Sequence, residues 1–279
     1  MNRVIEINKM ISEVREIPDV VMIFKNWWTY FSNISGLSNT ETVCKLRNGA
    51  KFIIRPDSFD IRMVKEVYIH KSYHQLEINE SDIVVDIGAH IGTFSVMAGR
   101  EIGETGRVYA YEPVPTTFDV LKKNIHLNSL QNTIQPYKFG ISNRDGKKEF
   151  YIFKKGDKPL FHSSSFYQEQ SRVIDAALGE KIEVECITLK DIFELNDLDG
   201  INVLKVDCEG EEYGILLNTP DRYMKKIDRI CMEYHDYLST NYNHQDLINH
   251  LSKLGYDVFH ETPENLEIGC GIIHACKTD

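Results

Sequence analysis

Two segments in the second half of the chain combine carboxylates with an imidazole. Asp207 and Glu209 follow one apolar run, and Glu233 and His235 follow the next one. Carboxylates and imidazoles accept protons, so Glu209 or His235 could activate a bound hydroxyl. If both runs are parallel strands, their carboxyl ends meet at one edge of a sheet, where such folds bind ligands. We therefore predict these four residues as catalytic groups, with Asp207 also able to hold a cofactor's amino group.

A glycine-rich turn lies earlier in the chain. An apolar run ends at Asp86, and Gly88, Ala89, His90 and Gly92 follow before an apolar-periodic segment. This pattern predicts a buried strand, a tight turn and a helix, an arrangement that aims backbone amides at a ligand. His90 stands where a dinucleotide loop needs its second glycine, which argues against a bound pyrophosphate. We predict that these five residues bind the amino-acid end of a smaller nucleoside cofactor.

A further acid follows the next predicted strand. The apolar run 108–111 is followed by Glu112 and Pro113, and Glu112 lies twenty residues beyond Gly92. A carboxylate at this place can accept hydrogen bonds from both hydroxyls of a ribose. A ribose acid combined with a crowded glycine turn fits a nucleoside that carries an amino-acid tail. The ligand predicted on these grounds is S-adenosyl-L-methionine.

Three ordered blocks carry a resemblance to a known family. They read D-I-G-A-H-I-G-T-F-S at 86–95, Y-A-Y-E-P at 109–113 and L-K-V-D-C-E-G-E-E at 204–212. Together they resemble the FkbM family of S-adenosylmethionine-dependent methyltransferases, over roughly residue 55 to the end of the chain. The resemblance implies methyl transfer, with a tilt toward oxygen acceptors, and does not identify the acceptor.

The order of predicted elements agrees with an α/β fold of this kind. It is a class I methyltransferase (Rossmann-like) sheet, mostly parallel, closed by an antiparallel hairpin of strands at 256–259 and 271–275. The stretch 143–187 interrupts the strand–helix rhythm and reads as a β insertion. We predict an N-terminal helical and hairpin extension at 1–78 and an S-adenosylmethionine-binding domain at 79–279.

The resemblance also implies contacts that the residues alone do not establish. In a methyltransferase fold the loop after the third strand lines the adenine, which makes Ile141 and Ser142 candidates. A serine-containing loop near the active site would include Ser164 or Ser165, and we interpret the polar stretch 162–165 as that loop. The arrangement of Asp60, Glu66 and Tyr73 is a family feature that borders the cofactor pocket.

Three other polar residues have ordinary structural interpretations. Glu211 and Glu212 favour the N-terminus of a helix, because the helix dipole attracts acids there. Asn124 lies late in a predicted helix, and a polar helix face explains it as well as a cofactor contact does.

Composition limits the partners. The chain has 279 residues and a formal net charge of −10, without a long basic stripe, so no nucleic-acid partner is expected. No apolar run approaches the length of a membrane span, and no secretory signal core is visible, so we expect a cytoplasmic protein. None of the six cysteines forms a C-x-x-C pair. An aromatic patch at Trp27 and Trp28 makes a homodimer reasonable.

The main interpretation is a metal-independent O-methyltransferase that acts on a hydroxyl of a small molecule or sugar. Three alternatives stay open. Asp207, Glu209 and Glu233 could instead bind Mg²⁺ and assist the transfer. The acceptor could be an RNA or a nitrogen atom. Outside the class, the chain could be an NAD- or nucleotide-binding protein, which His90 and the terminal hairpin oppose.

Overall fold

The chain folds into two compact units that divide after Ser72. The structure is a computed structural model. It describes residues 16–73, 75–156, 158–168, 176–239, 241–262 and 269–278.

Residues 16–72 of the N-terminal unit form three short helices and a hairpin. Its elements are α1 (Ile17–Ile23), α2 (Trp27–Ile34), β1 (Thr42–Lys45), β2 (Lys51–Ile54), and α3 (Asp60–Lys65), which continues into a π-helical turn (Glu66–His70). The strands β1 and β2 pair antiparallel around a turn at Asn48–Gly49, in which Gly49 has a φ of 94°. These helices and this hairpin lie within the extension predicted at 1–78, and residues 1–15 lie outside the described part.

The second unit alternates strands and helices. Its strands are β3 (Ile83–Ile87), β4 (Arg107–Tyr111), β5 (Ile134–Tyr137), β6 (Gly140–Ile141), β7 (Gly146–Lys155), β8 (Lys158–Ser165), β9 (Ala177–Ile187), β10 (Ile201–Val206), β11 (Ile227–His235), β12 (Tyr256–Glu261) and β13 (Cys270–Lys277). Its helices are α4 (Thr93–Glu101), α5 (Pro115–Leu127), α6 (Leu189–Leu195), α7 (Glu212–Asn218), α8 (Asp221–Met224) and α9 (His244–Lys253).

The main sheet has seven strands in the order β12-β13-β11-β10-β3-β4-β5. The strands β11, β10, β3, β4 and β5 are parallel, and β13 runs antiparallel to both of its neighbours. Val84, Val85 and Leu204 in the central strands are fully buried, as apolar runs covered on both faces should be. The predicted mostly parallel sheet with a C-terminal antiparallel hairpin is therefore confirmed.

The predicted β insertion is a separate four-stranded sheet with the order β6-β9-β7-β8. The prediction of a loop at 162–165 was wrong, because these residues belong to β8. The strand pairs antiparallel with β7, and Tyr151 lies opposite Ser165. The backbone of this edge strand pairs with β7 along one side. Its polar residues had suggested a loop.

Two further expectations can be compared with the described residues. All six cysteines are free thiols, and four of them are buried. No helix in the described ranges combines the length and apolarity needed to cross a membrane.

Candidate active site

A glycine loop (residues 88–92) connects β3 to α4 at the carboxyl edge of the main sheet. The amides of Gly88 and Ala89 both donate to the carbonyl of Tyr111, at 3.1 and 2.9 Å. Gly88, His90 and Gly92 have φ values of 77°, 50° and 86°, so three of the five positions are left-handed. The loop is thus a tight turn that is fixed to the end of β4.

Gly88 is the position where this loop cannot carry a side chain. A Cβ built there would lie 1.8 Å from the carbonyl oxygen of Asp207. The glycine lets the loop pack directly on the backbone that follows β10.

Glu112 joins the glycine loop to the end of β4. Its Oε2 accepts the amide of His90 at 3.0 Å, and its Oε1 accepts the amide of Val114 at 2.9 Å. The residue is 6% exposed. Its carboxylate therefore lies beside the loop, as the spacing predicted, and Pro113 follows it into the turn before α5.

Asp86 lies behind the loop instead of on its surface. It is fully buried; its Oδ2 accepts a 2.5 Å hydrogen bond from Ser95, and its Oδ1 lies 3.2 Å from the ammonium of Lys205. A carboxylate held in this way supports the loop. Its contact with the cofactor stays a prediction.

Lys205 was missed by the sequence interpretation. It is 3% exposed, and its Nζ donates to the carbonyl of Gly88 at 2.8 Å while lying 3.6 Å from Asp207 Oδ2. Tyr73 belongs to the same group, because its hydroxyl donates to Asp207 at 3.3 Å. A lysine inside an apolar strand could have signalled this cluster, since buried lysines occur with charged partners.

A group of acids surrounds one histidine at the ends of β10 and β11. We call Asp207, Glu209, Glu212, Glu233 and His235 the acid–histidine cluster. His235 Nδ1 lies 3.1 Å from Glu212 Oε1, and Nε2 lies 3.5 Å from Glu209 and 3.6 Å from Glu233. The structure thus brings together all four predicted catalytic residues.

Glu212 is the member of this cluster that the sequence interpretation missed. It begins α7, as an acid attracted by the helix dipole would, yet it is fully buried. Its carboxylate accepts the amides of Gly210 at 3.0 Å and Cys208 at 3.2 Å. The role suggested by the dipole is therefore incomplete, because Glu212 also holds the ring of His235.

The charge of His235 is set by its neighbours. Burial lowers the pKa of His235, but the carboxylates of Glu212, Glu209 and Glu233 outweigh it and raise the pKa well above 6.5. These carboxylates favour the protonated ring. The role of His235 as a base stays a prediction.

The predicted adenine-side residues lie next to a second polar network. Ile141 is 2% exposed within the main core, and Ser142 donates to Glu211 Oε2 at 2.6 Å. Lys148 contacts both Ser142 and Glu211. A cavity of about 660 Å³ opens here, lined by Asn143, Arg144, Lys147, Lys148, Glu149, Tyr151, Phe166, Tyr167, Glu211 and Gly214.

The remaining candidates have structural partners. Ser165 donates to the carbonyl of Glu209 at 2.7 Å, whereas Ser164 donates to a carbonyl of its own strand. Asn124 donates to the carbonyl of Ile91 at 2.8 Å and so supports the glycine loop from α5.

In the N-terminal unit, Asp60 is 1% exposed and binds Arg55. Its Oδ2 accepts the Nε–H of Arg55 at 2.8 Å, and its Oδ1 accepts a second guanidinium N–H at 2.7 Å. This bidentate pair fixes the start of α3.

Comparisons with known proteins agree with this geometry. A family model described as the methyltransferase FkbM domain matches residues 86–258. Methyltransferase 1 of Beauveria bassiana is 28% identical, over 62% of this chain and 72% of its own length. The 31-O-demethyl-FK506 methyltransferase FkbM of Streptomyces tacrolimicus is 26% identical, over 72% and 80%. The hexuronic acid methyltransferase AglP of Haloferax volcanii is 24% identical, over 57% and 58%. The chain belongs to the FkbM family of methyltransferases.

Proposed function

We propose that this methyltransferase uses S-adenosylmethionine to methylate a hydroxyl oxygen on a small molecule or sugar. The names of two relatives support an oxygen acceptor of this size: one denotes a 31-O-demethyl compound and the other a hexuronic acid. The acidic surface of this chain, with its formal net charge of −10, also disfavours a nucleic-acid acceptor.

The observation that carries the cofactor proposal is the hydrogen bond from the amide of His90 to Glu112. It fixes Glu112, the acid that would bind the ribose, beside a glycine turn at the carboxyl edge of a parallel sheet. The residues fit the cofactor, because the carboxylate of Glu112 can accept hydrogen bonds from ribose hydroxyls. Gly88, Ala89, His90 and Gly92 would bind the methionine end, and Glu112 the ribose.

Further residues would contact the cofactor. Pro113, Ile141 and Ser142 would border the adenine. Asp207, at the base of the glycine loop, would face the amino group. S-adenosylmethionine, when bound, supplies the methyl group as an electrophilic carbon.

The chain's own task is then to prepare the acceptor oxygen. Glu209 or Glu233 would accept the hydroxyl proton on a carboxylate oxygen. The acceptor oxygen would then bond to the methyl carbon as the carbon–sulfur bond breaks, with S-adenosylhomocysteine as the leaving group. His235 Nε2 lies within 3.6 Å of both acids, so its ring lies beside whichever carboxylate accepts the proton.

The test is methyl transfer to matched acceptors. The full chain is incubated with methyl-labelled S-adenosylmethionine and a panel of sugars and sugar acids, each paired with its deoxy and its amino analogue. We expect label on the hydroxyl compounds and none on the deoxy analogues. Transfer to the amino analogues alone, or to RNA alone, would contradict the proposal.

A further inference from the structure

The acid–histidine cluster contains ligand atoms for a metal ion. One atom each from Asp207, Glu209 and His235 lie within 4.8 Å of one another. Two donors that bind one ion at about 2.0–2.3 Å can be no more than about 4.6 Å apart. Three donors around one ion lie closer, about 3–4 Å apart, so these side chains draw together when they bind it.

A second observation concerns the orientation of His235. Its side chain is 3% exposed, and Glu212, which is not one of the three donors, fixes the Nδ1 side. The other nitrogen, Nε2, faces the carboxylates of Glu209 and Glu233 at 3.5 and 3.6 Å, distances longer than an ordinary hydrogen bond. A histidine held by a buried carboxylate, with its second nitrogen turned into a group of acids, has the arrangement of a metal ligand.

We propose that Asp207, Glu209 and His235 bind one divalent ion of a first-row transition metal. One imidazole with two carboxylates suits Mn²⁺, Fe²⁺ or Zn²⁺, whereas Mg²⁺ prefers oxygen donors throughout. Asp207 and Glu209 would bring two negative charges to the ion, and the charge of a divalent ion would offset them.

A competing donor set shares the same histidine. Glu233, His235 and Cys270 also bring their ligand atoms within 4.8 Å. Cys270 is 6% exposed, whereas the side chains of Asp207 and Glu209 are 26% and 17% exposed. The Asp207 set therefore faces the open side of the site, where an ion keeps positions for an incoming oxygen.

The consequence for catalysis rests on the proposed function. An acceptor hydroxyl bound to the ion is more acidic than the free hydroxyl. Because Glu209 is then a ligand, the proton passes from that oxygen to a carboxylate oxygen of Glu233. With the ion bound, Glu209 is a metal ligand and Glu233 is the proton acceptor.

The test is titration of the chelator-treated full chain with MnCl₂ and with ZnCl₂ in a calorimeter, and with MgCl₂ for comparison. The variants are Asp207→Asn and Glu209→Gln, because each keeps its shape and both side chains are partly exposed. Cys270→Ser tests the competing set. Glu183→Gln, which changes an exposed acid in the insertion, is the matched control.

We expect one Mn²⁺ or Zn²⁺ per chain, with Mg²⁺ binding more weakly. Asp207→Asn and Glu209→Gln should each weaken binding by at least about 10-fold, the smallest loss typical of disturbed metal sites. Cys270→Ser and Glu183→Gln should bind like the wild type. Absence of binding to the wild-type chain, or loss in Cys270→Ser with retention in Glu209→Gln, would overturn the assignment. S-adenosylmethionine binding, measured in parallel, reports on the proposed function independently of the metal.

Discussion

Replacing Gly88 by alanine tests the glycine loop, and Gly103 provides a matched control. Both glycines have left-handed backbones, with φ values of 77° and 73°. A Cβ on Gly103 meets nothing within 4 Å, whereas on Gly88 it lies 1.8 Å from the carbonyl oxygen of Asp207. The two substitutions therefore share the backbone penalty and differ in the clash.

The expected magnitudes follow from these two contributions. A left-handed alanine costs about 1–2 kcal/mol, which Gly103→Ala should show alone. In Gly88→Ala the contact must lengthen from 1.8 Å to at least 3.0 Å, and the neighbour is rigid backbone. Such overpacking adds about 1–3 kcal/mol. At about 2–4 °C per kcal/mol, Gly88→Ala should melt roughly 2–12 °C below Gly103→Ala.

Thermal unfolding followed by circular dichroism measures this difference. Tryptophan fluorescence is unsuitable, because both tryptophans, Trp27 and Trp28, belong to the N-terminal unit. Calorimetry should also show S-adenosylmethionine binding at least about 10-fold weaker in Gly88→Ala, a loss of about 1.4 kcal/mol, and unchanged in Gly103→Ala. Equal melting temperatures and equal affinities for the two variants would refute the account of the loop.

Three further substitutions test the elements that support the site, each by chemical denaturation. Lys205→Met removes the cation beside the fully buried Asp86 and should cost about 3–5 kcal/mol, whereas Lys147→Met, in an exposed ion pair, should have little effect. Similar losses for the two would contradict the buried pairing. Asn124→Ala leaves a carbonyl of the glycine loop without its donor and should cost about 1–3 kcal/mol. A change near zero would show that this hydrogen bond does not support the loop. Thr188→Ala removes the N-cap of α6, in a capping box with Asp191, and should cost about 1 kcal/mol, while Thr188→Ser should keep most of the stability.

The sequence predicted the main sheet well because its strands carry strong local signals. Val84 and Val85 lie in a short β-branched run between turn residues, and the structure buries both. The insertion was predicted less well. Its strand β8 pairs through the backbone with β7, and a polar sequence such as 162–165 does not reveal that pairing.

The candidate site was predicted by position, but the roles of its residues were not. The positions of Asp207, Glu209 and His235 after two predicted parallel strands predicted that they would lie close together, and the structure confirms this. The pKa of His235 is raised by Glu212, whose carboxylate accepts a backbone amide in the turn at Gly210, a contact that strand patterns do not predict. The ion pair of Asp86 with Lys205 joins neighbouring strands that are far apart in the chain, so local spacing could not reveal it.

The central claim is that Glu112 and the glycine loop bind S-adenosylmethionine. Calorimetric titration with S-adenosylmethionine, S-adenosylhomocysteine and NAD tests it in the wild type, in Glu112→Gln and in the exposed control Glu183→Gln. We expect the wild type and Glu183→Gln to bind both sulfur nucleosides and not NAD. In Glu112→Gln the affinity should fall by at least about 10-fold, because a neutral amide accepts the ribose hydroxyls more weakly than a carboxylate does. Binding of NAD, or unchanged S-adenosylmethionine binding by Glu112→Gln at an intact fold, would contradict the account.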